Sequence, residues 1–214
     1  MKSRRVFMCV AGVLICAVSV GFFKLAAFGV DPFQTFMSGM DQLIPIDFGT
    51  LYVLVNAALL LFSLVFDRHY IGLATFINLF LLGYVVDFSH NTLLAVFPDA
   101  SLPLRCGSFL LGFVALCFSS SLYMTADLGV STYDAVALIM ANTWKKGQFK
   151  FIRVATDVCC VAIGCVLYLA GGGEISTIPT IAGFGTIVTA FCMGPLIDFF
   201  NRTFSVPYLE KANK

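Results

Sequence analysis

The sequence predicts an all-α membrane protein: six transmembrane helices forming two inverted three-helix repeats, each with a short half-helix after its first span. Three observations predict it. Hydrophobic residues fill 59% of 214 positions and charged residues 12%, too little polar surface to coat a water-soluble globule of this length. One apolar stretch recurs in the second half of the chain. The cations alternate with the spans in a way that fits six crossings.

The recurring stretch is 71–88, IGLATFINLFLLGYVVDF, which returns at 182–199 as AGFGTIVTAFCMGPLIDF. At a constant offset of 111, six of eighteen positions are identical: Gly72/Gly183, Thr75/Thr186, Phe80/Phe191, Gly83/Gly194, Asp87/Asp198 and Phe88/Phe199. A second echo, at an offset of 100, pairs Phe28-Gly29-Val30-Asp31-Pro32-Phe33 with Leu128-Gly129-Val130-Ser131-Thr132-Tyr133. The same order of blocks in each half divides the chain into repeat 1 (1–103) and repeat 2 (104–214). The change of offset puts about eleven extra residues in the second half, at 142–150 and 170–177.

A span needs about 20 apolar residues. Six segments reach that length: 6–28, 48–66 and 70–88 in repeat 1, and 104–126, 149–170 and 178–200 in repeat 2. The apolar run after Lys2, Arg4 and Arg5 continues to Val30, too long for a signal-peptide core of about 7–15 residues, so it reads as the first span. Lys24, near the end of that span, can snorkel to the interface.

Lys2, Arg4, Arg5, Arg68, Lys145, Lys146, Lys150, Arg202, Lys211 and Lys214 all fall on one side of a six-span chain. The other side holds Asp31, Asp41, Asp47, Asp99 and Glu174, with Arg105 the one clear cation. Both termini are therefore expected in the cytoplasm. Three spans per repeat make the second copy start on the opposite side from the first. Inverted repeats of this kind are characteristic of secondary transporters, whose sites lie between the halves, and also occur in channels and other membrane proteins.

Between the first and second spans of each half comes a segment too short to cross. Asp31-Pro32 places a capping carboxylate before a proline at the first helical position and opens a half-helix at 32–43. Ser131-Thr132-Tyr133-Asp134 matches a capping box and opens a second at 131–144. Gly29 and Gly129 let the chain turn sharply into each. Two readings stay open: the half-helices re-enter and aim their positive ends at a substrate, or they lie flat in the interface with Asp31 and Asp134 occupying those ends.

On a helical wheel Gly72, Thr75, Leu79, Gly83 and Asp87 share one stripe, as do Gly183, Thr186, Gly194 and Asp198. Small residues so spaced suit close packing of the third span on the sixth, or the lining of a pore. Asp87 and Asp198 end their spans, either solvated or coupled to transport. Deeper polar residues are few: Asn56, Asn78, Ser119–Ser121, Thr156 and Asp157. An unpaired carboxylate at Asp157 costs about 2.5–3.5 kcal/mol on insertion scales, and Arg153 at i−4 is its available partner. The substrate contacts expected are Asp31, Gln34, Asn56, Ser131, Asp134 and Asp157. Gly29, Gly129, Asp87, Asp198 and Arg153 are expected in structural or coupling roles.

Other chemistry is not indicated. A net charge of +1 makes no basic field for nucleic acid. The eight cysteines lie in apolar segments and none is in a CxxC, which reads as packing and gives no metal site. Neither a cofactor nor an enzyme is expected: there is no HExxH and no GxSxG, and His69 and His90 sit at span boundaries as solvated residues.

The GVDPFQ and GVSTYD blocks, with a closing block of Gly185-Thr186, Ala190-Phe191, Gly194-Pro195 and Ile197-Asp198-Phe199-Phe200, resemble the YczE/YyaS/YitT group of bacterial integral membrane proteins over most of residues 5–205. The resemblance implies a polytopic protein of the bacterial cytoplasmic membrane and makes it a candidate transporter. One departure stands out: Tyr84 replaces the counterpart of Pro195, so only the sixth span is expected to kink. The leading expectation is a small-solute transporter, alone or as a homodimer. The alternatives are the substrate-binding subunit of a multi-component importer, which would borrow an ATPase since no GxxxxGK[ST] occurs, and a non-transporting regulatory or assembly protein.

Overall fold

The computed structural model describes residues 2–46 and 48–211. Asp47 and Lys214, both counted in the charge pattern, lie outside the described residues. Among the described residues all regular structure is helical. The helices are α1 (Lys2–Ala26), α2 (Pro32–Leu43), α3 (Phe48–Phe66), α4 (Leu73–Phe80), α5 (Leu82–Val96), α6 (Leu102–Ala126), α7 (Thr132–Leu138), α8 (Phe149–Ala170), α9 (Ile178–Ile181), α10 (Phe184–Phe200) and α11 (Val206–Glu210). A π turn, Ile139–Thr143, prolongs α7, and another, Asn201–Ser205, joins α10 to α11.

Among the described residues four helices are long and apolar enough to cross a membrane: Lys2–Ala26, Leu102–Ala126, Phe149–Ala170 and the continuous Phe184–Glu210. Taken together as one span, α4 and α5 make a fifth, bent by 50°. The helix expected at 48–66 forms at those residues, but its apolar part, Thr50–Phe66, is shorter than the about 20 residues of an upright span.

The third expected span differs most. Instead of an unbroken helix over 70–88, α4 begins after Gly72, the break falls at Leu81, and α5 runs on to Val96. The helix runs on past Phe88 through the polar residues 89–92 into a second apolar run at 93–97, with the Ser89 and Thr92 hydroxyls satisfied on the Val86 and Phe88 carbonyls. It stops at Phe97, which is non-helical (φ −130°, ψ 68°) and precedes Pro98, a residue that disfavours a helical predecessor. The bend therefore lies in the first half, against the expectation that only the sixth span would kink. Two local features weaken the helix there: Asn78 turns its amide back onto the Ala74 carbonyl, and Gly83 lies two residues beyond the break. α10 carries Pro195 inside one continuous element. The span expected at 178–200 is also interrupted, at Ala182–Gly183, before α10 begins.

At the centre, α1 crosses α6 with little between the backbones. A side chain added at Gly12 would meet the Ser119 carbonyl at 3.0 Å, and one added at Gly112 would meet the Ser19 carbonyl at 3.0 Å. Cys9, Cys16, Ala17 and Cys117 are buried around this crossing, small apolar packing residues as their positions imply.

The beginnings of α4 and α10 are each tied to the other half. Ala74 N donates to Leu128 O (3.0 Å) and Thr75 Oγ1 to Val130 O (2.7 Å); Gly185 N donates to Phe28 O (2.8 Å) and Thr186 Oγ1 to Val30 O (2.5 Å). The strands of chain receiving these bonds pass through left-handed glycines, Gly29 (φ 107°) and Gly129 (φ 89°), a conformation that side chains disfavour. The expected packing of the third span's glycines on the sixth is thus not what these residues do. Gly72 lies against Leu128, Gly183 against Phe28, Gly194 against Lys150 and Arg153, and Gly83 against nothing within 4 Å.

Both half-helices are packed within the bundle. α2 closes on α8 at Gly39 and Gly164, where an added side chain on either would run into the other helix's backbone. α7 is set against α3 through the hydrogen bond from Thr132 to Asn56.

Candidate functional site

Each half-helix is capped by its own chain. Asp31 Oδ1 accepts from Phe33 N (3.0 Å) and Gln34 N (3.1 Å), and Ser131 Oγ accepts from Asp134 N (3.1 Å). Only half of the expected capping box forms. The Asp134 carboxylate accepts from the Ser131 hydroxyl at 2.6 Å instead of reaching back to the Ser131 amide, and it also accepts from Tyr123 Oη and Arg153 Nη1.

Arg153 is the hub of this arrangement. Its Nε donates to Asp157 Oδ2 at 3.1 Å while Nη1 donates to Asp134, and its guanidinium lies 4.5 Å from the Tyr133 ring centre. Tyr133 Oη in turn donates to Asp157 Oδ1 at 2.5 Å. Arg153, Asp134 and Asp157 are 4%, 3% and 0% exposed, so these charges exist there only because they match one another. The i−4 pairing of Arg153 with Asp157 was readable from spacing; the second carboxylate, supplied by α7, was not.

Beside this cluster lies a cavity of about 170 Å³, with Asp31, Gln34, Asn56, Ser131, Asp134 and Arg153 in its wall. Asn56 is held by its own helix and by α7: Nδ2 donates to Tyr52 O (2.9 Å) and Oδ1 accepts from Thr132 Oγ1 (2.7 Å). Five of the six expected contact residues thus line one cavity together with Arg153. The sixth, Asp157, stands behind the wall and holds Arg153. Gly29 and Gly129 supply the turns that precede the capping residues.

Asp87 and Asp198 are not part of it. Asp87 pairs with Lys24 at 3.3 Å on the exposed surface, and Asp198 pairs with Arg202, one turn along, at 3.1 Å. His69 faces Asp127, Nε2 to Oδ1 2.6 Å, which also meets Arg5 at 3.2 Å. His90 departs from the solvated-boundary expectation: α5 runs past it, its Nδ1 is buried without a hydrogen-bond partner among the described residues, and it lines a second cavity of about 740 Å³. That larger cavity, also bordered by Lys24 and Pro179, shares Val20, Asp31, Gln34 and Leu116 with the first.

Sequence reasoning missed Tyr123, Tyr52 and Met193, which also line the inner cavity. Tyr52 lies one helical turn from Asn56, and that i, i+4 spacing was legible. Tyr123 follows Ser119–Ser121 in a polar run within an apolar helix, but its partner Asp134 lies beyond the Gly129 turn, and no periodicity links them.

The family model described as "Family of unknown function (DUF6198)" matches residues 3–202. Over 196 residues the chain is 28% identical to "Uncharacterized membrane protein YczE" of Bacillus subtilis (strain 168), an alignment covering 88% of this chain and 81% of that protein. No solved structure matches. With most of its length matched by that family and by a YczE relative, this helical membrane protein belongs to the DUF6198 family.

Proposed function

We propose that the protein is a small-solute transporter of the bacterial cytoplasmic membrane, built from two inverted halves with both termini in the cytoplasm. α3 and the bent α4–α5 pair complete six spans. Four features recurring at offsets of 100 or 111 support the inverted reading: the Gly12/Gly112 crossings, the Gly29/Gly129 turns, the Thr75/Thr186 bonds and the two half-helices. Half-helices meeting across a cavity are a transporter arrangement.

One observation carries the reading. A cavity walled by residues of both halves abuts a buried charged cluster, with Asp134 and Arg153 in its wall, and intramembrane charges mark solute or ion paths. The larger cavity shares Asp31 and Gln34 as wall with the inner one and is bordered by Lys24 and His90, so a movement of those two side chains would join the two into a route in.

The test is reconstitution of the full chain in liposomes on a solid-supported membrane, with charge movement recorded after rapid solute jumps. Wild type is expected to give solute-dependent currents, lost in Asn56→Leu, which fills the cavity without altering a charge. Binding without any flux would favour the importer-subunit alternative, and neither binding nor flux would leave a regulatory protein.

A further inference from the structure

We propose that the inner cavity takes a small organic ammonium ion that also carries a neutral oxygen acceptor. The proposal rests on the reading of this cavity as a solute site and names the chemistry of the solute.

Charge points first to a cation. Asp31 and Asp134 are in the wall and Asp157 stands behind it, against Arg153 alone. Arg153 is engaged by both Asp134 and Asp157. Asp31 Oδ1 receives two backbone N–H groups, while among the described residues no donor reaches its Oδ2. An anionic solute entering here would meet an excess of carboxylates in a medium that screens poorly; a cation would offset it.

The neighbouring surface is aromatic. Phe33, directly after the Asp31-Pro32 cap, stands with its ring centre 5.1 Å from that of Tyr133 and 6.0 Å from that of Tyr52. All three rings line the cavity. A carboxylate beside aromatic rings is the environment that attracts alkylammonium groups, through the ring quadrupoles as well as the charge.

The oxygen acceptor follows from Arg153 Nη2. Among the described residues its one acceptor contact is Met193 Sδ at 3.8 Å, a weak thioether partner, although Arg153 is 4% exposed. Arg153 and Met193 both line the cavity. A hydroxyl or carbonyl oxygen would satisfy this donor, whereas a carboxylate would sit against Asp134 and Asp157. At about 170 Å³ the space lies below the about 300–1,000 Å³ of pockets for drug-sized ligands, which limits the occupant to a few non-hydrogen atoms beyond the ammonium group.

Thermal unfolding of the full chain in detergent micelles tests this, in chloride salts of choline, ethanolamine and tetramethylammonium against sodium chloride at equal ionic strength. Choline and ethanolamine should raise the midpoint above sodium, by an amount that grows with concentration. Tetramethylammonium, lacking the oxygen, should raise it less. Asp31→Asn keeps an N-cap residue and so should fold with a normal midpoint in sodium chloride while losing the shift; Asp87→Asn, at the exposed Lys24 pair, should keep it.

A choline shift that survives Asp31→Asn, or one no larger than that of tetramethylammonium, overturns the proposal. A shift produced instead by glycerol or sodium acetate and lost in Asn56→Leu also overturns the cation class while retaining the cavity as a solute site. If no solute of any class shifts the midpoint and none drives current in liposomes, the transport reading falls with it.

Discussion

Thr75 and Thr186 stand 111 positions apart and make the same hydrogen bond, each from its hydroxyl to a carbonyl just past the left-handed glycine of the opposite half: Val130 O at 2.7 Å and Val30 O at 2.5 Å. Both threonines are buried, at 3% and 0% exposure. Replacing either by valine keeps the volume and strands a buried carbonyl, a loss of about 1–3 kcal/mol. Thr75→Val and Thr186→Val should therefore destabilise by similar amounts in equilibrium unfolding in mixed micelles. Effects differing severalfold would show that the two contacts are not equivalent.

Gly29 and Gly129 hold backbone angles of φ 107° and φ 89°. A side chain at Gly29 would meet Gly183 N at 2.7 Å, and one at Gly129 would run into the backbone of Gly72. Strain in the left-handed region alone is about 1–2 kcal/mol for a non-glycine residue, and the collision adds to it. Gly29→Ala and Gly129→Ala are expected to lower the yield of folded, monodisperse protein on size exclusion far more than alanine at Gly107, which has nothing within 4 Å of an added side chain.

Breaking the Arg153 cluster should be worse than discharging it. Arg153→Gln leaves Asp134 and Asp157 buried without a cation, a loss of about 3–5 kcal/mol. Adding Asp134→Asn and Asp157→Asn to Arg153→Gln removes the stranded charges and should restore part of that stability, while abolishing solute-dependent current. Denaturant titration of the two variants checks the order; a triple variant less stable than the single one would contradict it.

Asp67 lies in the loop after α3, outside the spans, where Thr143 Oγ1 donates to its Oδ2 at 2.5 Å. That hydroxyl is the largest cause holding the Asp67 carboxyl below its usual range; burial opposes it, and the His69 amide and the His69 charge add smaller lowering effects. A folded-state value lowered in this way contributes stability above the unfolded value of about 3.9, and the contribution is lost as pH falls through the lower folded value. Thr143→Val should move the Asp67 titration up towards the unfolded value in an NMR pH series. Because the carboxyl is exposed, the change in overall stability should be small.

Legibility in the sequence depended on how local the cause was. The caps at Asp31 and Ser131, the short α2, and the helices 48–66 and 149–170 were readable because a cap, a proline or an apolar run acts within one or two turns. The Arg153–Asp157 pair was readable for the same reason, being one turn apart. The end of α5 was not legible because the polar residues 89–92 look like the end of a span, whereas the helix passes through them into the apolar 93–97 and stops before Pro98. The stripe of Gly72, Thr75 and their mates is legible in spacing as a packing face or a pore lining, but its partners, Leu128 to Val130 and Phe28 to Val30, belong to the other half of the chain.

By itself the sequence determined that the chain is a helical membrane protein, where its half-helices begin and which polar residues are embedded, since composition, capping and period are properties of neighbouring residues. Only the tertiary structure decided that Asp134 joins Arg153 and Asp157, that Asp31, Asn56 and Arg153 share one cavity, and that Asp87 and Asp198 stay outside it. Those outcomes depend on how α7 docks between α3 and α8, an arrangement set by close backbone approach and long-range hydrogen bonds, to which no local pattern is sensitive.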